Sequence, residues 1–411
     1  MVVQTDERGA DMRRVIVAFL LTIPLLPLPA ELFRFHYEEG QKYRLLTEVS
    51  EDVYYNGLLS HRADILNKIA VDTQAVRGGA GLLSCSFLTS ERAYGTRTSF
   101  SLTQEYQSMF WRDALGHYDI GSQYFMPVVR HVPVFPEGDI DPGFSWSAPG
   151  EEAHDLRNSF GIAAPVHFPI DVRYTYRGPV QHNGKTLQAI DIEYEVFHRL
   201  DGLRSGRGLV PVRITGASEQ TYYWDPQRGQ PDSYEESFDF IFYLSDGQYV
   251  EYVGTAEGRM LESTELDREK VAAEISEELR QRGVEDTTVA AEQQGVTLTL
   301  QNIQFAPNSA RLLPSERDKL RAIGEILKGY PDRDILITGH TARVSGYTAE
   351  DHQLLSEQRA AAVADYLLGI GALRENQVTT KGMGYREPVG DNSVEAGRSQ
   401  NRRVEITILE N

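Results

Sequence analysis

Apolar and polar residues alternate one for one through much of residues 31–261. Ile190, Ile192, Tyr194 and Val196 stand on one side with Asp191, Glu193 and Glu195 on the other, the signature of a strand with one buried face. Phe238, Phe240 and Phe242 repeat the spacing, and Asn56-Gly57, Asn183-Gly184 and Asp246-Gly247 supply hairpin turns between such runs. The pattern predicts roughly ten to twelve strands. Residues 127–179 are rich in proline and glycine, so long ordered loops interrupt the strands there, a point at which the region could divide into two β subdomains. No stretch before residue 264 carries a convincing helical period, which predicts a large antiparallel all-β region, a sandwich or a curled half-barrel. An outer-membrane barrel alternates in the same way, but it calls for regular connections and aromatic girdles in register, and neither recurs here.

The period changes at Thr264. Leu266, Val271, Ile275 and Leu279 predict an amphipathic helix over 266–281, capped by Ser263 or Thr264 and ended by Gly283. It reads as a connector or as the first layer of the last domain. Short strands are expected over 287–291 and 296–305, with the turn at Gln294-Gly295. Beyond Val296 the periods of 2 and 3.6 take turns: a helix through Leu320, Ile323, Ile326 and Leu327, a strand through Ile335 and Ile337, a helix over 353–368, then strands over 378–382 and 404–409. This β-α-β-α-β-β order predicts an α+β domain with two helices on one face of a mixed sheet. The expected division is a leader over 1–30, a β-rich domain over 31–262, a helical connector with a short strand over 263–295, and the α+β domain over 296–411.

The leader rests on Arg13 and Arg14, an apolar run over 15–28, and Leu28-Pro29-Ala30 before Glu31, the ordering of a signal peptide, whose start could be Met12. The run contains Pro24 and Pro27 and falls short of the ~20 apolar residues of a spanning helix. Hydrophobic residues make up 41% of the 411 and charged residues 25%, the balance of a folded soluble body rather than of a disordered or multi-span membrane chain. A formal charge of -19 repels a phosphate backbone, so nucleic acid is not an expected partner. The single cysteine, Cys85, excludes an intramolecular disulfide and a cysteine-rich zinc site, and since it does not follow the leader it also excludes lipid attachment there. The expected location is therefore the periplasm, with outer-membrane association possible and lipoprotein status excluded.

Chemistry is thin in the β region. Glu151, Glu152, His154 and Asp155 cluster, but their spacing fits no zinc pattern and reads as a solvated acidic loop. His36, His117 and His154 lack partners at diagnostic spacing, so no catalytic residue, metal or cofactor is assigned. The β region is expected to engage a protein, a lipid or the outer membrane.

The last domain carries a series of motifs: Asn302-Ile303-Gln304-Phe305, Ser309-Ala310, Gly339-His340-Thr341, Leu355-Ser356-Glu357-Gln358-Arg359-Ala360, Gly382-Met383-Gly384, Pro388, and Asn401-Arg402-Arg403-Val404-Glu405. In order and spacing these resemble the OmpA-like (OmpA/MotB/Pal) carboxy-terminal domain family, over about residues 296–411. The resemblance implies a non-enzymatic domain that binds peptidoglycan without a covalent bond. In that family an Asp after the His-Thr pair takes the ammonium of the stem peptide's diamino acid, and the Arg of Leu-Ser-x-x-Arg takes its carboxylate. Such a zwitterionic end needs one fixed anion and one planar cation. Carried over, the Arg is Arg359, expected near the start of its helix, but the Asp position is Ala342, and His352 stands where the family places Asn. The loop 343–351 is two residues longer than usual and brings Arg343, while Glu350 or Asp351 on it could replace the lost carboxylate. Thr341, Asn401 and Arg402 complete the implied rim. The resemblance leaves two readings: wall binding with altered specificity, or a retained fold in which Arg359 is salt-bridged to an acidic neighbour and the domain serves as a structural or interaction module.

Overall fold

The computed structural model describes residues 30–93, 98–205, 208–262, 265–301, 303, 305 and 309–410. The leader, all but Ala30, lies outside the described residues, as do Ser263 and Thr264, Asn302 and Gln304.

The β region forms β1 (Lys42–Tyr55), β2 (Leu58–Arg77), β3 (Ala80–Ala93), β4 (Phe100–Arg112), the two-residue β5 (Tyr118–Asp119) and β6 (Val129–Arg130), β7 (Ser145–His154), β8 (Val166–His182), β9 (Lys185–Arg199), β10 (Pro211–Asp225), β11 (Gln230–Leu244) and β12 (Tyr249–Glu262). Every neighbouring pair in the order β4-β3-β2-β1-β12-β11-β10-β9-β8-β7 is antiparallel, so one sheet runs through the whole region. Asn56 and Gly57, and Asn183 and Gly184, all have positive φ, which a two-residue type I′ turn needs at both central positions. The sheet curls without closing among the described residues: β4 pairs outward with β5, and β7 with β6. Residues 33–37 and the proline-rich stretch fold into the curl, where Phe33, Phe35, Phe135, Ile140, Leu156 and Phe160 share one core with Tyr176, Ile190, Ile192 and Trp224 of the strands. Trp224 takes the rings of Phe35 and Phe135 edge-on at 5.1 and 4.9 Å. Burying each such side chain contributes about 1.5–3 kcal/mol, and the ring geometry adds to that.

The acidic cluster differs from the expected solvated loop. Glu151, Glu152 and His154 belong to β7, and Glu152 is only 2% exposed, bonded to the His154 ring at 2.6 Å. Glu151 holds Arg130 and His167, and the short helix α1 (Arg157–Phe160) begins with Arg157 bound to Asp155. A charged group can be buried when it is paired or hydrogen-bonded: Arg130 and Arg157 supply opposite charges to Glu151 and Asp155, and the His154 ring supplies Glu152 with a hydrogen bond.

The second region contains α2 (Arg268–Gln281), β13 (Thr287–Glu292), β14 (Gly295–Gln301), α3 (Pro314–Leu327), β15 (Ile335–Gly339), α4 (Ala349–Gly369), β16 (Val378–Gly382), α5 (Glu395–Asn401) and β17 (Arg403–Leu409). Its strands pair in the order β13-β14-β17-β15-β16, antiparallel except for β15 with β16. The helix cap is Asp267, whose carboxylate accepts from the Lys270 amide at 3.1 Å, rather than Ser263 or Thr264. Ile275 and Leu279 of α2 are buried in the same core as Leu320, Ile337, Val363 and Ile406, so α2 packs as a layer of this region. α4 begins four residues earlier than its apolar period suggested, at a capping box between Thr348 and Asp351.

The two regions join along one seam. β4 and β16 pair in parallel at Phe100–Thr379 and Ser101–Thr380, and the Thr380 hydroxyl donates to the Phe100 carbonyl at 3.0 Å. Beside this short ladder, Asp334 receives both Arg44 at 3.0 Å and Lys68 at 2.9 Å, and Lys68 also donates to the Gln377 carbonyl. Arg92 bridges Asp64 within the β region to Glu375 across the seam.

Candidate ligand-binding site

β15 ends at Gly339, pressed so close to α4 that a Cβ there would meet the Ser356 carbonyl oxygen at 2.2 Å. A Cβ at Gly382, the end of β16, would meet Glu357 and Ser356 within 2.7 Å. These glycines let the strand ends lie directly against the helix. The chain then turns through His340, Thr341 and Ala342, all buried.

The Thr341 amide donates to Gly384 at 2.8 Å, and its hydroxyl lies 3.2 Å from Nδ1 of His352. The ring of His352, itself buried, meets Tyr385 edge-on at 5.0 Å. His352 therefore ties the strand end to α4 through a ring nitrogen. Ala342 is 2% exposed and offers only a methyl group.

Arg359 lies seven residues beyond His352, two turns along the same face of α4 and about 10 Å up its axis. This places it mid-helix, not near the helix start, because the capping box extends α4 back to Ala349. The free amides of the first turn are thus remote from it. Its guanidinium stands over the Phe305 ring at 4.9 Å, and its Nε is buried without a hydrogen-bond partner. Burial lowers its pKa, and the neighbouring Arg402 charge lowers it further. No acidic side chain pairs with Arg359 among the described residues, in contrast to the salt-bridged alternative.

The other implied residues divide. Asn401, 1% exposed, uses its amide on the backbone of Val389 and Gly390 and on the side chain of Asn392, which in turn accepts from the Arg343 amide. Its polar atoms hold the rim in shape. Arg402 is bound to Glu395 at 2.6 Å. Glu350 and Asp351 stand in the first turn of α4 and not on the preceding loop. The Asp351 carboxylate accepts from the Thr348 amide and hydroxyl at 2.8 and 3.0 Å, which hold its pKa low. Glu350 is exposed.

Sequence reasoning missed the layer beneath. His340, 1% exposed, lies 3.3 Å from the Glu405 carboxylate, which also binds Arg403 at 2.7 Å. Burial raises the Glu405 pKa, but His340 and Arg403 outweigh it and hold the group at about 2. Glu405 comes just after Asn401-Arg402-Arg403 in the motif series, but only the β15–β17 pairing brings it beneath His340.

Residues 304–402 match the model of the OmpA family. The probable lipoprotein YiaD of Escherichia coli is 36% identical over 107 residues, which are 26% of this chain and 48% of that protein. The peptidoglycan-binding protein ArfA of Mycobacterium tuberculosis is likewise 36% identical over 107 residues, 26% of this chain and 32% of the relative. The chain thus spans half or less of the length of these relatives. Among solved structures, an outer membrane protein from Borrelia burgdorferi is 35% identical, covering 30% of this chain and 96% of that one at a TM-score of 0.25. The cell wall anchor of a Pseudomonas aeruginosa secretion system is 27% identical, covering 35% and 99% at a TM-score of 0.30. Behind a large antiparallel β region, residues 304–402 form an OmpA-family domain.

Proposed function

We propose that the chain is an exported envelope protein whose last domain binds peptidoglycan stem peptides without catalysis, tethering whatever the β region engages to the wall. The observation that carries this reading is Arg359: a half-buried cation on an aromatic ring, with no anion beside it among the described residues. Leaving a buried charge uncompensated costs stability, and a ligand carboxylate would repay it through two parallel hydrogen bonds. The relative ArfA is named for peptidoglycan binding, which supports the same ligand class. With Ala342 at the family's Asp position and Asp351 occupied by the helix cap, the ligand's ammonium has no preset partner. The preferred stem peptide is then one whose diamino acid presents a carboxylate without demanding an adjacent anion.

Co-sedimentation of the purified protein with peptidoglycan from its own organism tests this. The unmodified protein is expected in the pellet and Arg359→Ala in the supernatant. If the unmodified protein stays in the supernatant at every concentration, the domain is an interaction module that has lost wall binding.

A further inference from the structure

The curl of the β region is not completely filled. A chamber of about 440 Å³ opens between the inner faces of β1, β11 and β12 and the segment around Leu156 and Phe160, and a second of about 230 Å³ lies beside it. Val129, Tyr234 and Glu236 line both, so the two are adjacent. Together they fall within the range of about 300–1,000 Å³ typical of small-molecule sites. Phe238, Phe240 and Phe242 of β11, with Tyr252 of β12, give the larger chamber an aromatic wall.

The smaller chamber holds a cation. Arg112 forms part of its wall, with the Phe35 ring 3.9 Å from its guanidinium carbon, its Nε donating to the Tyr37 hydroxyl at 2.6 Å and a terminal nitrogen 3.5 Å from the Tyr43 hydroxyl. These partners are neutral, and among the described residues no carboxylate pairs with it. A guanidinium in such a setting keeps its full charge and lacks a counter-charge. Among the acids, Glu152 is bonded to His154, Asp155 is paired with Arg157, and Asp232 of the smaller chamber with Lys185. Glu236, which lines both chambers, has only the Ser218 hydroxyl at 2.7 Å and the Gln220 amide at 3.1 Å, and burial raises its pKa, which weakens its negative charge. Glu51 is pushed up to about 7 by burial and by Glu91, so its charge is weak near neutrality.

We propose that the two chambers bind one amphiphile with an acyl chain and a single anionic head, the head on Arg112 and the chain along Phe238, Phe240 and Phe242. The charge of Arg112 selects the sign of the head, and the aromatic wall selects an apolar body. A carboxylate and a phosphate monoester share the needed chemistry.

Binding to the full chain, read by displacement of a fluorescent fatty-acid probe, tests this with palmitate, hexadecyl phosphate, hexadecanol, hexadecyltrimethylammonium, acetate and inorganic phosphate. Palmitate or hexadecyl phosphate is expected to bind one per chain, the tighter of the two naming the head. Hexadecanol should bind roughly 10- to 100-fold more weakly, the loss of a charge-assisted hydrogen bond. Arg112→Gln should bring the anionic amphiphiles to the level of hexadecanol and leave hexadecanol unchanged. Phe238→Glu, on the half-exposed part of the wall, should weaken every amphiphile. Equal binding of palmitate and hexadecanol to the unmodified protein overturns the role of Arg112. Tightest binding of the ammonium would mean that the acids decide, and binding of acetate as tight as palmitate, or no binding at all, overturns the proposal outright.

Discussion

The seam between the two regions and the site at the end of β15 both bury cations, and they treat them in opposite ways. At the seam Arg44 and Lys68 converge on Asp334 within 3.0 Å, and Lys68 has a backbone carbonyl as well. At the site Arg359 has a ring face and a like-charged neighbour, Arg402, and no anion among the described residues. A compensated buried charge holds two parts of a protein in register, whereas an uncompensated one is a standing cost that a ligand can remove. On the proposed reading of Arg359, the difference separates residues that build this molecule from those that meet something outside it.

Removing the shared anion strains the comparison most. Asp334→Ala leaves Lys68, 7% exposed, and Arg44 beside it without a counter-charge. Breaking a buried pair in this way costs about 3–5 kcal/mol. The denaturation midpoint of the protein is expected to fall sharply, and limited proteolysis should cut first near the seam. An unchanged midpoint would mean that the seam carries no stability and that compensation does not mark structure here.

Acid probes the layer beneath the site. Glu405 has a folded pKa of about 2 against an ordinary value of 4.5, so the unfolded chain takes up its proton first as the pH falls. Its stabilisation is complete above about pH 4.5 and drains away as the pH drops toward 2, up to about 3 kcal/mol less what solvent screens. Chemical denaturation measured between pH 6 and 2 should show this loss, and Glu405→Gln should flatten it. A slope that survives the substitution would place the acid sensitivity elsewhere.

How much of this was readable in the chain depends on the range of the interaction. The alternation at Ile190, Ile192, Tyr194 and Val196 predicted a strand with one dry face, and all four are buried. The strand over 378–382 is observed with those limits, because its β-branched run Val378-Thr379-Thr380 and its bounding glycine are both local. Arg359 could be named from its motif, but its isolation could not, since Phe305 and Arg402 come from distant segments. Lys68 reads as one more polar residue on the outer side of a strand, and only the approach of Asp334 makes it part of the seam. Glu152 differs from its solvated reading for the same reason: an acidic residue looks solvated until His154 and the fold of β7 bury it.

Placing an anion at Ala342, where the sequence resemblance implies one, gives a smaller effect. Ala342→Asp should strengthen binding to walls with the usual diamino acid, since a charge-assisted hydrogen bond gains about 1.5–3 kcal/mol and desolvating the new carboxylate takes back part of it. Co-sedimentation with such walls measures the balance. No gain would mean that the strand end, tied by Thr341 to His352, no longer faces the ligand.

The smallest expected change is the most discriminating. Arg359→Met keeps an apolar stem against Phe305 and deletes only the charge, so nothing is left unpaired by the substitution. Were Arg359 a structural cation like Lys68, its loss would strand an anion and lower stability by several kcal/mol. Because no anion faces it among the described residues, the denaturation midpoint should hold to within about 0.5 kcal/mol or rise, while wall binding is lost. Stability and binding thus move apart at Arg359. A fall in both together would place a hidden partner beside it and assign this cation, like those at the seam, to the architecture of the molecule.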